Sequence, residues 1–207
     1  MRFHYRASWI FLNLVERLFF GFRVINAQVI PKTGPVIIAS NHISYCDPPV
    51  VGSAVPREVY FLAKEELFRN PLFAWLIRQY NAIPLRRSVG DLAAIRKAVD
   101  LLSQGKALLM FPEGTRSLSG KLLKPKLGIG MIAMLASAPI VPAYVRGTNR
   151  IGKAFMRKCK LEVRFAEPLL PMSLDFPSDD KKARYTYIAE EVMRRIESLS
   201  HEAEKET

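Results

Sequence analysis

Two cysteines, Cys46 and Cys159, are all that the 207 residues contain, and they lie far apart with no paired metal-ligand spacing. That scarcity excludes a disulfide-stapled scaffold and a zinc module, and it suits a reducing compartment. Acidic residues are scarce too: 19 Asp and Glu stand against 31 Lys and Arg, a formal net charge of +12. The excess favours anionic partners, whether nucleic acid, acidic lipid headgroups, phosphorylated metabolites or an acidic protein, without choosing among them. There is no internal repeat, low-complexity block or long linker, so one domain with a sizeable apolar core is expected. A secretory signal is not expected either, because the apolar N-terminal stretch has no small-residue cleavage site and is broken by Glu16 and Arg17. The run from Leu127 to Val145 carries no charge and could nearly span a bilayer. Gly128, Gly130, Pro139 and Pro142 instead divide it into a short helix and a buried strand.

What is present begins with a helical pattern over residues 2–23. Arg2, Arg6, Asn13, Glu16, Arg17 and Arg23 share one arc, blurred by Trp9 and Phe20. Ile10, Phe11, Leu14, Val15, Leu18, Phe19 and Phe22 occupy the rest. Such a helix either caps the core or lies in a headgroup region with its guanidinium groups on anionic phosphates. Apolar runs then alternate with helical ones. Strands are expected at Val24–Ile30, Val36–Ser40, Val59–Ala63, Ala82–Leu85, Ala107–Phe111, Ile140–Val145 and Leu161–Phe165. Helices are expected at Pro48–Val55, Pro71–Tyr80, Leu92–Gln104, Ile129–Ala136 and Ala183–Leu199. The last carries Ile188, Val192, Ile196 and Leu199 as a stripe for packing on a sheet. The alternation predicts an α/β sandwich whose mixed, largely parallel sheet is flanked by helices.

Chemistry is expected where strands end. After Ser40 the chain reads Asn41-His42-Ile43-Ser44-Tyr45-Cys46-Asp47-Pro48-Pro49. Asp47 before two prolines fits a helix N-cap, and the same carboxylate could hold one imidazole nitrogen of His42. A second strand runs into Pro112-Glu113-Gly114-Thr115-Arg116-Ser117, where Gly114 permits close backbone approach and Arg116 offers a planar fork. Lys64 follows a third strand, and Arg86 and Arg87 follow a fourth. Four cations leaving the sheet edge that carries His42 predict an anion pocket beside a base. Alternation along a strand would turn Arg86 and Arg87 opposite ways. Cys46 near His42 raises a cysteine acyl-enzyme as a lesser alternative.

Asn41-His42-x-Ser44-x-x-Asp47 resembles the His-x4-Asp motif of the glycerolipid acyltransferases, and Phe111-Pro112-Glu113-Gly114-Thr115-Arg116-Ser117 is similar to their second signature. Ala63-Lys64-Glu65-Glu66-Leu67, Ile83-Pro84-Leu85-Arg86-Arg87 and Ala138-Pro139-Ile140-Val141-Pro142 are similar to further blocks of the bacterial 1-acylglycerol-3-phosphate acyltransferases, in family order. The resemblance covers roughly residues 36–147 and is specific as a conjunction. It implies that His42 is the general base, Asp47 its partner, and Glu113 and Gly114 shapers of the site. It further implies that Lys64, Arg86 or Arg87, Thr115 and Arg116 form the acceptor subsite, the cations binding its phosphate. The implied reaction acylates the sn-2 hydroxyl of 1-acylglycerol-3-phosphate to phosphatidic acid. No metal or resident cofactor is implied; acyl-coenzyme A or acyl-acyl carrier protein is the co-substrate. Another lysophospholipid or a lyso-aminolipid is the alternative acceptor.

These readings divide the chain into a membrane-associating helix at 1–23 and an acyltransferase domain at 24–207, set peripherally or monotopically on the cytoplasmic face of an anionic membrane. Arg146, Arg150, Lys153, Arg157, Lys158, Lys160 and Arg164 make a basic run opposed only by Glu162. Nucleic-acid binding is a remote reading of it, since no aromatic residues interleave as a stacking platform. Acidic lipid or an acidic carrier protein fits better.

Overall fold

The computed structural model describes residues 1–85, 92–156 and 158–206. These form seven strands: β1 (Arg23–Ile25), β2 (Val36–Ser40), β3 (Val59–Lys64), β4 (Ala82–Leu85), β5 (Ala107–Met110), β6 (Ile140–Arg146) and β7 (Glu162–Phe165). They make one sheet in the order β1-β7-β6-β2-β5-β3-β4. The block β6, β2, β5, β3 and β4 is parallel throughout. β7 runs antiparallel to β6, and β1 runs parallel to β7. The helices are α1 (Phe3–Phe20), α2 (Asp47–Ala54), α3 (Pro71–Gln79), α4 (Leu92–Ser103), α5 (Gly128–Ala136), α6 (Ile151–Phe155) and α7 (Lys181–Lys205). The result is the expected α/β sandwich with a mixed, mostly parallel sheet.

Burial on both faces explains the sequence of the central strand. Every residue of β2, Val-Ile-Ile-Ala-Ser, is buried, as parallel strands covered by helices require. Alternate side chains go to opposite sides. Val36 and Ile38 join Val50, Val51 and Ala54 of α2 in one core. Ile37 and Ala39 join Ala98 of α4, Ile129 and Ile132 of α5 and Ile188, Val192 and Ile196 of α7 in the other. The α7 stripe therefore packs as its spacing predicts.

Three elements differ from expectation. β1 stops at Ile25 because Asn26 adopts a left-handed backbone at φ 59, and a short 3-10 turn takes up Ala27–Val29. α6 has no counterpart in the sequence pattern. α7 starts earlier than expected because the Asp180 carboxylate accepts from the Ala183 N–H at 2.8 Å, a cap set before the apolar stripe. No helix among the described residues is long and apolar enough to cross a membrane. The uncharged run becomes α5 and β6, separated at Ser137, whose φ of 47 ends the helix.

α1 turns Asn13 and Glu16 of its polar arc inward, while Arg2, Arg6, Arg17 and Arg23 remain exposed. Asn13 Nδ2 donates to the Ser53 carbonyl at 2.8 Å, Trp9 Nε1 donates to the Val55 carbonyl at 3.0 Å, and Ser53 Oγ donates to Glu16 at 2.6 Å. Arg2 pairs with Glu58 at 2.7 Å. Phe3, Ile10, Phe11, Leu14, Leu18 and Phe19 are left on the outside. Phe22 is the exception to the expected apolar face, since it turns into the core. The helix thus covers the domain and presents apolar side chains to the surroundings at the same time.

Burial pushes the Glu16 carboxyl up to about 7, against the Ser53 hydroxyl that favours its charge. In the unfolded chain this group ionises near the ordinary value of 4.5, so the folded protein holds the proton longer. Stability should therefore fall as pH rises from about 4.5 to about 7. Glu16→Gln is expected to abolish that loss, raising stability at pH 8 by on the order of 3 kcal/mol at most and leaving it unchanged at pH 4. Thermal melts of both proteins across that range would expose the error if the variant gained nothing at pH 8.

Candidate active site

Parallel pairing puts the C-terminal ends of β6, β2, β5 and β3 along one edge of the sheet. Beyond β2 the backbone is fastened by Asn41, whose amide donates to the Val145 carbonyl at 3.0 Å and accepts from the Val145 N–H at 2.7 Å. This side chain therefore ties the loop to β6 before His42 begins. The imidazole stacks on Phe111, ring centroids 4.1 Å apart, and its side chain is 17% exposed.

His42 Nδ1 lies 2.7 Å from Asp47 Oδ2. The same oxygen accepts from the backbone N–H groups of Ile43 at 2.6 Å and Ser44 at 2.7 Å, while Oδ1 accepts from Thr148 Oγ1 at 2.5 Å. A fully buried carboxylate so surrounded by donors accepts a hydrogen bond from the Nδ1–H tautomer of the imidazole as well, which leaves the Nε2 lone pair available.

The N-cap expected of Asp47 is not formed. Asp47 is the first residue of α2, and its carboxylate turns back to the preceding loop. Pro48 and Pro49 supply no N–H to cap, and the Val50 N–H is taken by the Cys46 carbonyl. The two prolines thus start the helix while freeing the carboxylate for His42.

Glu113 braces this loop from β5. One carboxylate oxygen accepts from the His42 N–H at 2.9 Å and the other from the Leu123 N–H at 3.0 Å. Burial raises its pKa above the ordinary value; the two backbone N–H groups oppose that rise, and the nearby Asp47 charge adds to it. The Ser117 N–H completes the brace by donating to the His42 carbonyl at 2.7 Å.

Gly114 has φ +66, and a Cβ there would lie 2.8 Å from Lys126 Cδ and 2.9 Å from Cε. The lysine stem lies directly over the glycine. The Gly114 N–H donates to the Phe111 carbonyl at 3.0 Å, which closes the turn. It and the Ser117 N–H are therefore occupied, and they do not form the oxyanion site that N–H groups around Gly114 would offer in an open turn.

Thr115 is exposed beside it. The Arg116 guanidinium sits 3.5 Å from the centroid of the Tyr45 ring, joining the two signature loops by a cation–π contact. Lys64 ends β3 on the same edge and is exposed. Arg86 and Arg87 lie outside the described residues. Cys46 packs against the apolar core, and among the described residues no cluster of three or more His, Cys, Asp and Glu could hold a metal.

Sequence reasoning missed Asn41's brace, Tyr45, Lys126 and Thr148. Thr148 and Val145 are more than a hundred residues from their partners, so no local spacing marks them. Lys126 is brought in by its backbone N–H, which donates to the Pro112 carbonyl at 2.8 Å.

Residues 21–146 match the family model described as Acyltransferase. Over 195 residues the chain is 29% identical to the 1-acyl-sn-glycerol-3-phosphate acyltransferase of Bacillus subtilis (strain 168), spanning 94% of this chain and 96% of that one. Over 148 residues it is 32% identical to the lyso-ornithine lipid O-acyltransferase of Pseudomonas aeruginosa, spanning 68% of this chain and 54% of that one. Its fold is similar to the crystal structure of the 1-acyl-sn-glycerophosphate acyltransferase PlsC of Thermotoga maritima, with a TM-score of 0.68, 30% sequence identity, and coverage of 97% of this chain and 84% of that chain.

Proposed function

The chain belongs to the acyltransferase family, and from that premise we propose that it transfers an acyl group from a thioester to the sn-2 hydroxyl of 1-acylglycerol-3-phosphate, yielding phosphatidic acid. The observation that carries this reading is the His42–Asp47 pair beside Arg116. His42 Nε2 takes the proton of the acceptor hydroxyl as its oxygen bonds to the thioester carbonyl carbon. The C–S bond then breaks, and the imidazolium returns the proton to the departing thiolate. Asp47 stabilises the imidazolium and holds its tautomer. Arg116, Lys126 and Lys64 are the described cations available for the phosphate, and Arg86 or Arg87 belongs to the same reading. Acyl-coenzyme A or acyl-acyl carrier protein serves as donor.

The likeness to the Pseudomonas protein supports a second reading with the same chemistry and a lyso-aminolipid or other lysolipid acceptor. Purified protein offered each acceptor with each donor decides between them. Preference for the phosphate monoester supports the first reading, and acylation of lyso-ornithine lipid alone overturns it.

A one-chain acceptor resides in a bilayer, and the outward apolar side chains of α1 suit a peripheral position on an anionic membrane surface. Both donor types are cytoplasmic thioesters, which supports the cytoplasmic face in this reading. Because Cys46 is packed against the core, direct attack by the acceptor needs no protein nucleophile. Cys46→Ala is expected to keep its turnover within about threefold and to follow sequential kinetics. Mass spectrometry of the wild type during turnover checks this, since an accumulated acyl-protein is incompatible with direct attack.

A further inference from the structure

α6 has no part in the site chemistry, yet it is built onto it. Thr148, which holds Asp47, precedes Ile151 by three residues on the same loop. The loop is pinched at its base: Gly147, at φ +87, packs so closely on the Lys160 carbonyl that a Cβ would lie 2.3 Å from that oxygen. The Lys158 N–H donates to the Lys153 carbonyl at 2.8 Å, which closes the segment on itself.

This protrusion shows apolar and cationic side chains together. Ile151, Phe155 and Met156 are 37%, 56% and 59% exposed, while only Ala154 of the helix is buried. Arg150, Lys153 and Lys158 are exposed around them, and residues 147–161 contain no Asp or Glu. Phe155 meets α1 through Phe19, stacked at 6.1 Å, and Phe20, edge-on at 5.6 Å. Its apolar surface is therefore continuous with the outward face of α1.

We propose that α6 and its flanks are a second bilayer contact, which seats Ile151, Phe155 and Met156 below the headgroups of an anionic membrane and sets Arg150, Lys153 and Lys158 on their phosphates. The proposal rests on the membrane reading of α1 and adds an element that touches the catalytic loop. An acidic carrier protein would satisfy the cations but leave two aromatic or thioether side chains and the long apolar arc of α1 in water. A bilayer accepts all of them at once. Anchoring at α6 also fixes the segment that carries Thr148, so membrane contact and the His42–Asp47 loop are held by one short stretch of chain.

The test uses the full chain and flotation with vesicles of phosphatidylglycerol and phosphatidylcholine, or of phosphatidylcholine alone. Ile151→Ser/Met156→Ser, which leaves the ring contacts of Phe155 intact, is expected to weaken binding to the mixed vesicles about tenfold. Lys153→Glu/Lys158→Glu is expected to weaken it by at least about twentyfold, and to leave binding to neutral vesicles unchanged. Both variants should acylate a dispersed short-chain acceptor at the wild-type rate. Leu14→Ser/Leu18→Ser on α1 tests the parent reading separately. If only the α1 variant loses binding, α6 is not a membrane contact and the parent reading stands. If the wild type ignores both vesicle types, both fail. A charge-reversal variant that binds vesicles normally but loses only acyl carrier protein as donor overturns the proposal in favour of a carrier site.

Discussion

Replacing His42 with Ala is expected to lower turnover by at least about a hundredfold while leaving thermal stability nearly unchanged. The backbone bonds that fasten this position, from its N–H to Glu113 and from Ser117 to its carbonyl, do not need the imidazole. What is lost is the proton acceptor alone. Asp47→Asn discriminates the role of the charge. An amide oxygen at the Oδ2 position keeps the donors from His42, Ile43 and Ser44, and its NH2 can donate to a Thr148 hydroxyl that turns to accept. The variant should therefore fold and still lose most turnover, because the imidazolium formed during proton transfer has no counter-charge. Thr148→Val should cost about 1–3 kcal/mol of stability by leaving a buried carboxylate oxygen unmet, with a smaller loss of rate. In the double variant the neutral amide is stranded in place of the carboxylate oxygen, so the pair should destabilise by no more than the sum of the single changes. Full activity in Asp47→Asn would remove Asp47 from the mechanism.

Arg116→Ala is expected to raise the acceptor's KM about 10- to 100-fold and to leave the donor's KM unchanged, since a guanidinium–phosphate pair is worth roughly 1.5–3 kcal/mol. Arg116→Lys should recover little of this. The guanidinium plane rests on Tyr45, and an ammonium can neither stack there nor present two parallel donors. Lys126→Ala should act in the same direction with a smaller effect, because a lysine binds phosphate as a point charge. The control is a 1-acylglycerol without phosphate. Against that acceptor the wild type and Arg116→Ala should perform alike; an equal loss with both acceptors would mean that Arg116 holds the loop rather than reading the phosphate.

The α/β alternation was legible because each strand and helix declares itself through nearest neighbours: a short unbroken apolar run in Val36, Ile37, Ile38 and Ala39, helical spacing in Ile188, Val192 and Ile196. His42 and Asp47 were legible together for the same reason, being five residues apart on one loop, as were Glu113 and Arg116 on one turn. A helix cap and a partner for His42 were both open for Asp47 because its sequence context fits both roles, and only the fold shows which donors surround the carboxylate. That the Gly114 N–H closes its turn on the Phe111 carbonyl is likewise a matter of the folded loop and not of the spacing.

The sequence by itself determined the order of elements, the two loops that carry the chemistry and the excess of cations, since all of these reside in local patterns of polarity and spacing. Tertiary structure decided which groups complete them. Asn41 meets Val145 across 104 residues and Thr148 meets Asp47 across 101, so their roles exist only once β6 lies beside β2. It also decided the orientation of α1. Its two arcs are visible in the sequence, but an apolar arc ordinarily turns inward. Here Ser53, Val55 and Glu58 offer hydrogen-bond partners to Arg2, Trp9, Asn13 and Glu16, and most of the apolar arc is left facing out, where a bilayer can take it.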